Sequence, residues 1–215
     1  MKRIDCREHL LDAGVAALHS KGFNGCGVQE ITEAAGVPKG SFYNYFESKE
    51  AFSAEVLEHY WEQGAKKNLA VLSDESIPAL TRLKTYFSER AEVHAAGHFE
   101  RGCMLGNLAT EVTGQSRLVR DHLAGLFAGW VRVVANCVRE AQENGEITLD
   151  LDPVTIASFL VNAWQGAIMR AKVDRDFSSI DQFIEVVFSR LLVKGDKGHT
   201  HTAVEREALA ATGTL

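Results

Sequence analysis

The stretch from Gly36 to Phe46 constrains the fold of this 215-residue chain more than any other. Gly36 marks the end of a helix because glycine accepts the left-handed cap conformation, and Pro38 stops a helix from running through its position. Phe42 and Phe46 are four residues apart, so they share one helical face and are predicted to be buried. Donors suited to DNA phosphates and base edges occupy the other face. They are Lys39, Ser41, Tyr43 and Asn44.

Two further helices are predicted before this stretch. Apolar residues recur at helical spacing from Asp5 to Lys21, and Gly22 ends that run. After a break at residues 25–27, a second helix is predicted from Val28 to Ala35. Two helices joined by a short turn form the helix-turn-helix arrangement, and the first helix gives this unit its own core. Ser48 is a natural N-cap for a fourth helix.

The rest of the chain is also predicted to be helical, because it contains few prolines and few alternating stretches. Apolar residues cover more than one side of the helix that begins at Pro153, which predicts cover by the chain's own core and by a second subunit. The fold class is therefore all-α, with a helix-turn-helix domain at 1–48, a helical domain at 49–194 and a C-terminal tail at 195–215. The remaining helices are expected at Lys49 to Leu72, Pro78 to Ala96, Cys103 to Val112, Ser116 to Asn144, Pro153 to Val173 and Ser179 to Val193, with a weakly held one at Ala203 to Ala211.

Charge and composition limit the function in two ways. The net charge is −6, and residues 1–50 carry six Lys and Arg against seven acids, so DNA binding must depend on a few well-placed cations. No apolar run reaches the roughly 20 residues of a membrane span, and no signal-peptide core follows the N-terminus. We therefore expect a soluble cytoplasmic protein. The four cysteines, Cys6, Cys26, Cys103 and Cys137, lack metal-ligand spacing and are expected to be thiols.

Residues 7–55 resemble the DNA-binding domain of the TetR family of transcriptional regulators. The resemblance implies an all-α homodimer on double-stranded operator DNA, in which the last two long helices of each subunit form a four-helix interface. It makes residues 49–194 the effector-binding and dimerisation domain. Two recognition helices about one DNA turn apart predict a palindromic operator. The matching residues are Gly22-Phe23, Ile31, Ala34-Ala35-Gly36-Val37, Lys39 to Phe46 and Ser48-Lys49-Glu50.

The resemblance and the side-chain chemistry together give eight candidate DNA-binding residues. Gln29 and Asn44 are amides that can read base edges, and Lys39 suits guanine or a phosphate. Gly40 allows close approach of the backbone to the groove. Lys49, at the head of the fourth helix, resembles the family's phosphate clamp. The hydroxyls of the other three residues suit phosphates, so the full set is Gln29, Lys39, Gly40, Ser41, Tyr43, Asn44, Tyr45 and Lys49.

The stretch from Arg101 to Val112 is the candidate effector segment. Cys103 lies at a predicted helix N-terminus, two residues after Arg101, and both features favour a reactive thiol. The segment resembles the Gly-Cys motif of the TetR-family branch that responds to electrophiles and oxidants, and in that branch a late lysine, here Lys172, lies near the cysteine. Cys103 as a small buried hydrophobe and a non-covalent ligand pocket stay open as alternatives. Trp130 and Trp164 are candidates for lining such a pocket.

The predicted function is a repressor that leaves its operator on binding a small molecule or on modification of Cys103. No cofactor or metal site is predicted, because His94 and His98 lack a third ligand nearby. A helical detoxification enzyme with a pair formed by Cys103 and His98 would need an orienting group and an oxyanion hole, for which the sequence shows no motif. A protein-interaction module that uses the exposed aromatic residues of the third helix is the other alternative.

Overall fold

The computed structural model describes residues 6–147 and 151–193, with the backbone alone for residues 65–68. The described residues form helices and no strands, so the predicted all-α class is confirmed. A 3-10 turn at Ala70–Ser73 follows α4, and a turn of π type at Val187–Leu191 follows α9. The α-helices are α1 (Cys6–Lys21), α2 (Val28–Ala34), α3 (Lys39–Phe42), α4 (Lys49–Asn68), α5 (Ala79–Ala96), α6 (Met104–Val112), α7 (Arg117–Glu143), α8 (Pro153–Asp174) and α9 (Ser178–Val186).

Three predicted helices are too long. The third was expected to reach Phe46, but α3 ends at Phe42 and residues 43–45 form a turn. The fourth was expected to reach Leu72, but the regular helix ends at Asn68 and the chain tightens into the 3-10 turn. The last was expected to reach Val193, but its regular part ends at Val186, and the Leu192 amide bonds the Val187 carbonyl across the wider turn at 2.8 Å. The predicted tail and its helix at Ala203 to Ala211 lie outside the described residues.

Side-chain caps fix the starts of α4 and α8. The Ser48 hydroxyl accepts from the Ala51 amide at 3.0 Å, as predicted. The Asp152 carboxylate accepts from the Thr155 amide at 2.9 Å, and Pro153 occupies the first turn of α8. Each cap satisfies an amide that the first turn of a helix leaves without a partner.

Two apolar cores lie along the chain. The first holds α1 to α3 together with α4, and it continues into α6 and the start of α7 through Met104, Leu108 and Val119. The second joins α5, the rest of α7, α8 and α9 around Trp164 and Phe87. The core that supports the helix-turn-helix therefore includes the candidate effector helix α6, so these two parts pack as neighbours.

The outer side of α8 carries uncovered apolar residues. α8 buries Leu160 and Trp164, while Phe159 is 51% and Met169 65% exposed. The predicted apolar character on two sides of this helix is thus present. Among the described helices none is long and apolar enough to cross a membrane.

Candidate functional site

The turn between α2 and α3 sets the direction of the candidate recognition helix. Gly36 takes the left-handed conformation at φ +68°, as predicted. The Val37 amide bonds the Thr32 carbonyl at 3.0 Å, and Pro38 caps α3 with an extended backbone. Because the turn is short and fixed by these bonds, α3 leaves α2 in a defined direction.

An aromatic cluster anchors α3 to the core. Phe42 is 0% and Phe46 2% exposed, so their predicted burial is confirmed. The two rings lie 5.3 Å apart, and each packs on Phe52 of α4, at 5.1 and 4.8 Å between ring centres. These contacts place α3 rigidly on the head of α4.

The side of α3 that points away from this cluster is open to solvent, as is the turn at residues 43–45 that follows it. Tyr43 is 59% and Tyr45 45% exposed, and Lys39, Gly40 and Asn44 are exposed as well. Lys39 makes no ion pair among the described residues, whereas Lys21 pairs with Glu30. No atom of the chain lies within 4 Å of the position that a Cβ on Gly40 would take, so internal packing does not require glycine there. Ser41 is half-buried.

Two other candidate DNA-binding residues have partners within the chain. The Gln29 amide group donates to the Glu33 carboxylate at 2.9 Å on the exposed side of α2. The Lys49 ammonium donates to the Phe23 carbonyl at 2.5 Å and lies 4.2 Å from the centre of that ring. Lys49 thus holds the turn between α1 and α2, and a phosphate would have to use another of its three N–H groups. Its role as a clamp stays a prediction.

Both ends of α6 touch the N-terminal helices. At its start, His19 of α1 donates from Nε2 to the Gly102 carbonyl at 2.9 Å. At its end, the Glu111 carboxylate accepts from the Phe23 amide at 2.8 Å and from the Asn24 amide at 2.7 Å. Gly22, at φ +74°, leaves the space that this carboxylate fills. Sequence reasoning missed the roles of His19 and Glu111, because their partners lie more than 80 residues away along the chain.

Cys103 and Lys172 line one groove between α6 and α8. Cys103 is the N-cap residue of α6 and is half-buried, and the Gln165 amide donates to its sulfur at 3.3 Å. The groove has a volume of about 610 Å³. The Lys172 Cδ atom lies 3.4 Å from the position that a Cβ on Gly102 would take. The structure therefore brings together the two residues that the sequence suggested as partners.

Two thiols of the described chain, Cys26 and Cys137, are buried. Burial raises the pKa of the Cys137 thiol to about 11, and it also raises the pKa of Cys26. Cys137 lies in the core, and Cys26 is 2% exposed within the N-terminal core. Thiols that resist ionisation are poor nucleophiles, so burial argues against a reactive role for Cys26 and Cys137.

A separate inner cavity of about 70 Å³ lies among α4 to α8. Trp130 and Trp164 line it, at the place where the sequence suggested a pocket. Its polar wall was not predicted: Tyr86, Arg90 and His94 follow one another at four-residue spacing along α5. That spacing places three polar side chains on one helical face. It is the sequence signal that could have indicated this polar wall. The wall also includes Tyr60 of α4 and Cys103.

Burial keeps three groups of this wall, Tyr60, Tyr86 and His94, neutral at pH 7. It raises the pKa of the Tyr60 and Tyr86 phenols. Burial, with a smaller contribution from the Arg90 charge, lowers the pKa of His94 to about 4.

Within residues 6–147 and 151–193, no group of three or more His, Cys, Asp or Glu could hold a metal ion.

Comparison with known proteins gives one family. Residues 10–56 match the family described as bacterial regulatory proteins, tetR family, and residues 79–187 match the tetracyclin repressor-like C-terminal domain. The transcriptional repressor DhaR of Mycobacterium sp. (strain GP1) is 42% identical over 89% of this chain and 95% of its own length. The crystal structure of a regulatory protein TetR from Rhodobacter sphaeroides, 36% identical, has a TM-score of 0.80 over 86% of this chain and 98% of that one.

A third relative is the transcriptional repressor NemR of Escherichia coli (strain K12). It is 30% identical over 82% of this chain and 89% of its own length. The crystal structure of E. coli NemR in its reduced form has a TM-score of 0.79 and covers 89% of this chain and 100% of that one.

The low pKa of His94 predicts a loss of stability in acid. Its pKa is about 4 in the folded chain against an ordinary value of 6.5, so the stability that neutral burial gives is present above pH 6.5 and is lost as the pH falls toward 4. Between pH 7.5 and 4.5, His94→Gln should lose about 2 kcal/mol less stability than the wild type, measured by urea unfolding. Equal losses in the two proteins would contradict the neutral burial of His94.

Proposed function

Because the chain belongs to the TetR family of transcriptional regulators, we propose that it is a dimeric repressor released from a palindromic operator by an effector in its second domain. The observation that supports this most is the geometry of α3. Phe42 of α3 and Phe46, just after it, pack on Phe52 of α4, while Lys39, Tyr43 and Asn44 are exposed to solvent. Such a helix can enter a major groove with its donors facing bases and phosphates.

The dimer is proposed to form through α8 and α9. The uncovered apolar residues on the outer side of α8, with exposed Val186 at the end of α9, offer a surface that a second copy would bury. The same patch on both subunits makes an interface with two-fold symmetry. Two-fold symmetry requires two half-sites in the operator about 34–36 Å apart, or a multiple of that distance.

The proposed route from effector to DNA runs through α6. This helix borders both the Cys103 groove and the inner cavity. It is bonded to α1 through Gly102 and to the turn after α1 through Glu111. A movement of α6 therefore acts directly on the reading head, by which we mean the helix-turn-helix unit of α1 to α3, besides pushing on α4. An effector needs only a few kcal/mol of preference for the non-binding arrangement to release DNA, on the order of 5 kcal/mol for a full reversal of populations.

Cys103 supports a second, thiol-based mode of release. Its sulfur lies at the start of α6 and shares a groove with Lys172, and NemR has been solved in a form named as reduced. Addition of the sulfur to an electrophilic double bond would form a thioether, while the thiol proton passes to the neighbouring carbon. The added group would then occupy the groove beside α6 and displace it.

DNA binding is tested by removing the cation on α3. Lys39→Ala should weaken binding to the promoter DNA upstream of the chain's own reading frame, because Lys39 is exposed and no described residue pairs with its charge. If it contacts phosphate, the slope of log affinity against log salt should fall by about one per subunit. Fluorescence anisotropy at several salt concentrations measures both quantities. Lys84→Ala, an exposed lysine on α5, is the matched control, and equal behaviour of the two variants would contradict this surface.

The thiol mode is tested with N-ethylmaleimide on the dimer bound to its operator. Cys103→Ser should stay bound after treatment at neutral pH, whereas Cys6→Ser, which removes another half-buried thiol, should be released like the wild type. Mass spectrometry should find the adduct on Cys103 in the released protein. Release of Cys103→Ser to the wild-type extent would show that Cys103 is not the switch, and non-covalent release would then stand alone.

A further inference from the structure

Arg90 carries a charge for which the described residues supply no counter-charge. It lies on α5 between the inner cavity and an outer groove of about 580 Å³ that also includes His19 and Gln63. Its Nε atom is buried and has no hydrogen-bond partner, and the described residues give Arg90 no ion pair. A buried guanidinium nitrogen without a partner is costly unless a ligand satisfies it.

The other polar groups around the inner cavity are donors or neutral. The Tyr60 and Tyr86 hydroxyls stay protonated because burial raises the pKa of each phenol. The Trp130 indole N–H lies near the Tyr86 hydroxyl without completing a hydrogen bond. His94 is neutral at pH 7 for the reason given above. Among the described side chains, no carboxylate lines the inner cavity, so its wall offers Arg90 no negatively charged hydrogen-bond acceptor.

Size and shape restrict what can enter. At about 70 Å³, and with roughly 10–15 Å³ needed for each water-sized sphere, the cavity holds about five non-hydrogen atoms. Pockets for drug-sized ligands hold roughly 300–1,000 Å³. The rest of the wall is largely apolar and includes Trp164 and Ile168. A fitting ligand is therefore a short molecule with a charged acceptor at one end and a few carbons at the other.

We propose that the inner cavity binds a monocarboxylate of two to four carbons, with the carboxylate on Arg90 and the tyrosine hydroxyls and the carbon chain against Trp164. Guanidinium and carboxylate match in geometry and form charge-assisted hydrogen bonds. The proposal rests on the proposed function, since it assigns the non-covalent effector by class. The cavity borders Cys103 and Leu105 at the start of α6. The Tyr60 hydroxyl lies beside the Met104 amide, so a ligand that engages Tyr60 acts on α6.

Calorimetry on the full-length dimer, in buffer without carboxylates, tests this site without DNA. Sodium propionate is the probe, propionamide is its neutral counterpart, and octanoate is the same acid with a longer chain. We expect propionate to bind at least about tenfold more tightly than either, because the amide lacks the charge and the longer chain exceeds the cavity. Equal binding of propionate and propionamide, or no binding of propionate by the folded protein, would overturn the proposal.

Variants of Arg90 locate the binding. Arg90→Gln should weaken propionate binding at least about tenfold, while Arg90→Lys, which keeps the charge, should fall between Arg90→Gln and wild type. Arg132→Gln, which removes an exposed arginine on α7, should bind propionate within about twofold of wild type. Because Arg90 makes no ion pair within residues 6–147 and 151–193, Arg90→Gln should fold without loss of thermal stability. Wild-type affinity in Arg90→Gln would overturn the assignment.

The outcomes separate this site from the repressor proposal. Operator binding is measured on the same preparations by anisotropy, with and without propionate. A dimer that binds the operator but not propionate overturns the carboxylate site alone. A dimer that binds propionate through Arg90 but has no affinity for the operator overturns the repressor proposal and leaves the site standing.

Discussion

The Glu111 carboxylate ties α6 to the N-terminal helices by hydrogen bonds. Glu111, in the last turn of α6, accepts hydrogen bonds from the consecutive amides of Phe23 and Asn24, at the turn that leads from α1 to α2. Charge-assisted bonds of this kind contribute about 1.5–3 kcal/mol, and Gly22 leaves room for the carboxylate. Lys49 fixes the Phe23 carbonyl on the other side of the same turn. The position of the reading head therefore depends on where α6 lies.

The site around α6 has two chambers with different chemistry. The groove toward α8 holds Cys103 and Lys172, and the inner cavity holds Arg90 and the two buried phenols. Cys103 borders both. A covalent effector and a small charged effector would thus act on the same helix from two sides, and both would reach DNA through the same bonds to α1.

The sequence predicted those features that depend on neighbouring residues. The left-handed Gly36, the buried pair Phe42 and Phe46, and the Ser48 cap follow from spacing and residue type within a few positions. Contacts across long stretches were not predictable in this way. Nothing local to Glu111 shows that it bonds amides 88 and 87 residues away. The polar face of α5 was visible in its four-residue spacing, but only the packing shows that it faces a cavity and not solvent.

The central claim is that the bond between α6 and the turn after α1 holds the reading head in its DNA-binding position. Operator affinity of Glu111→Ala, compared with Glu92→Ala as a control at an exposed acid on α5, tests it most directly. The account predicts that Glu111→Ala loses about tenfold or more in affinity at unchanged helical content, while Glu92→Ala keeps wild-type affinity. Equal operator affinity of the two variants would contradict it.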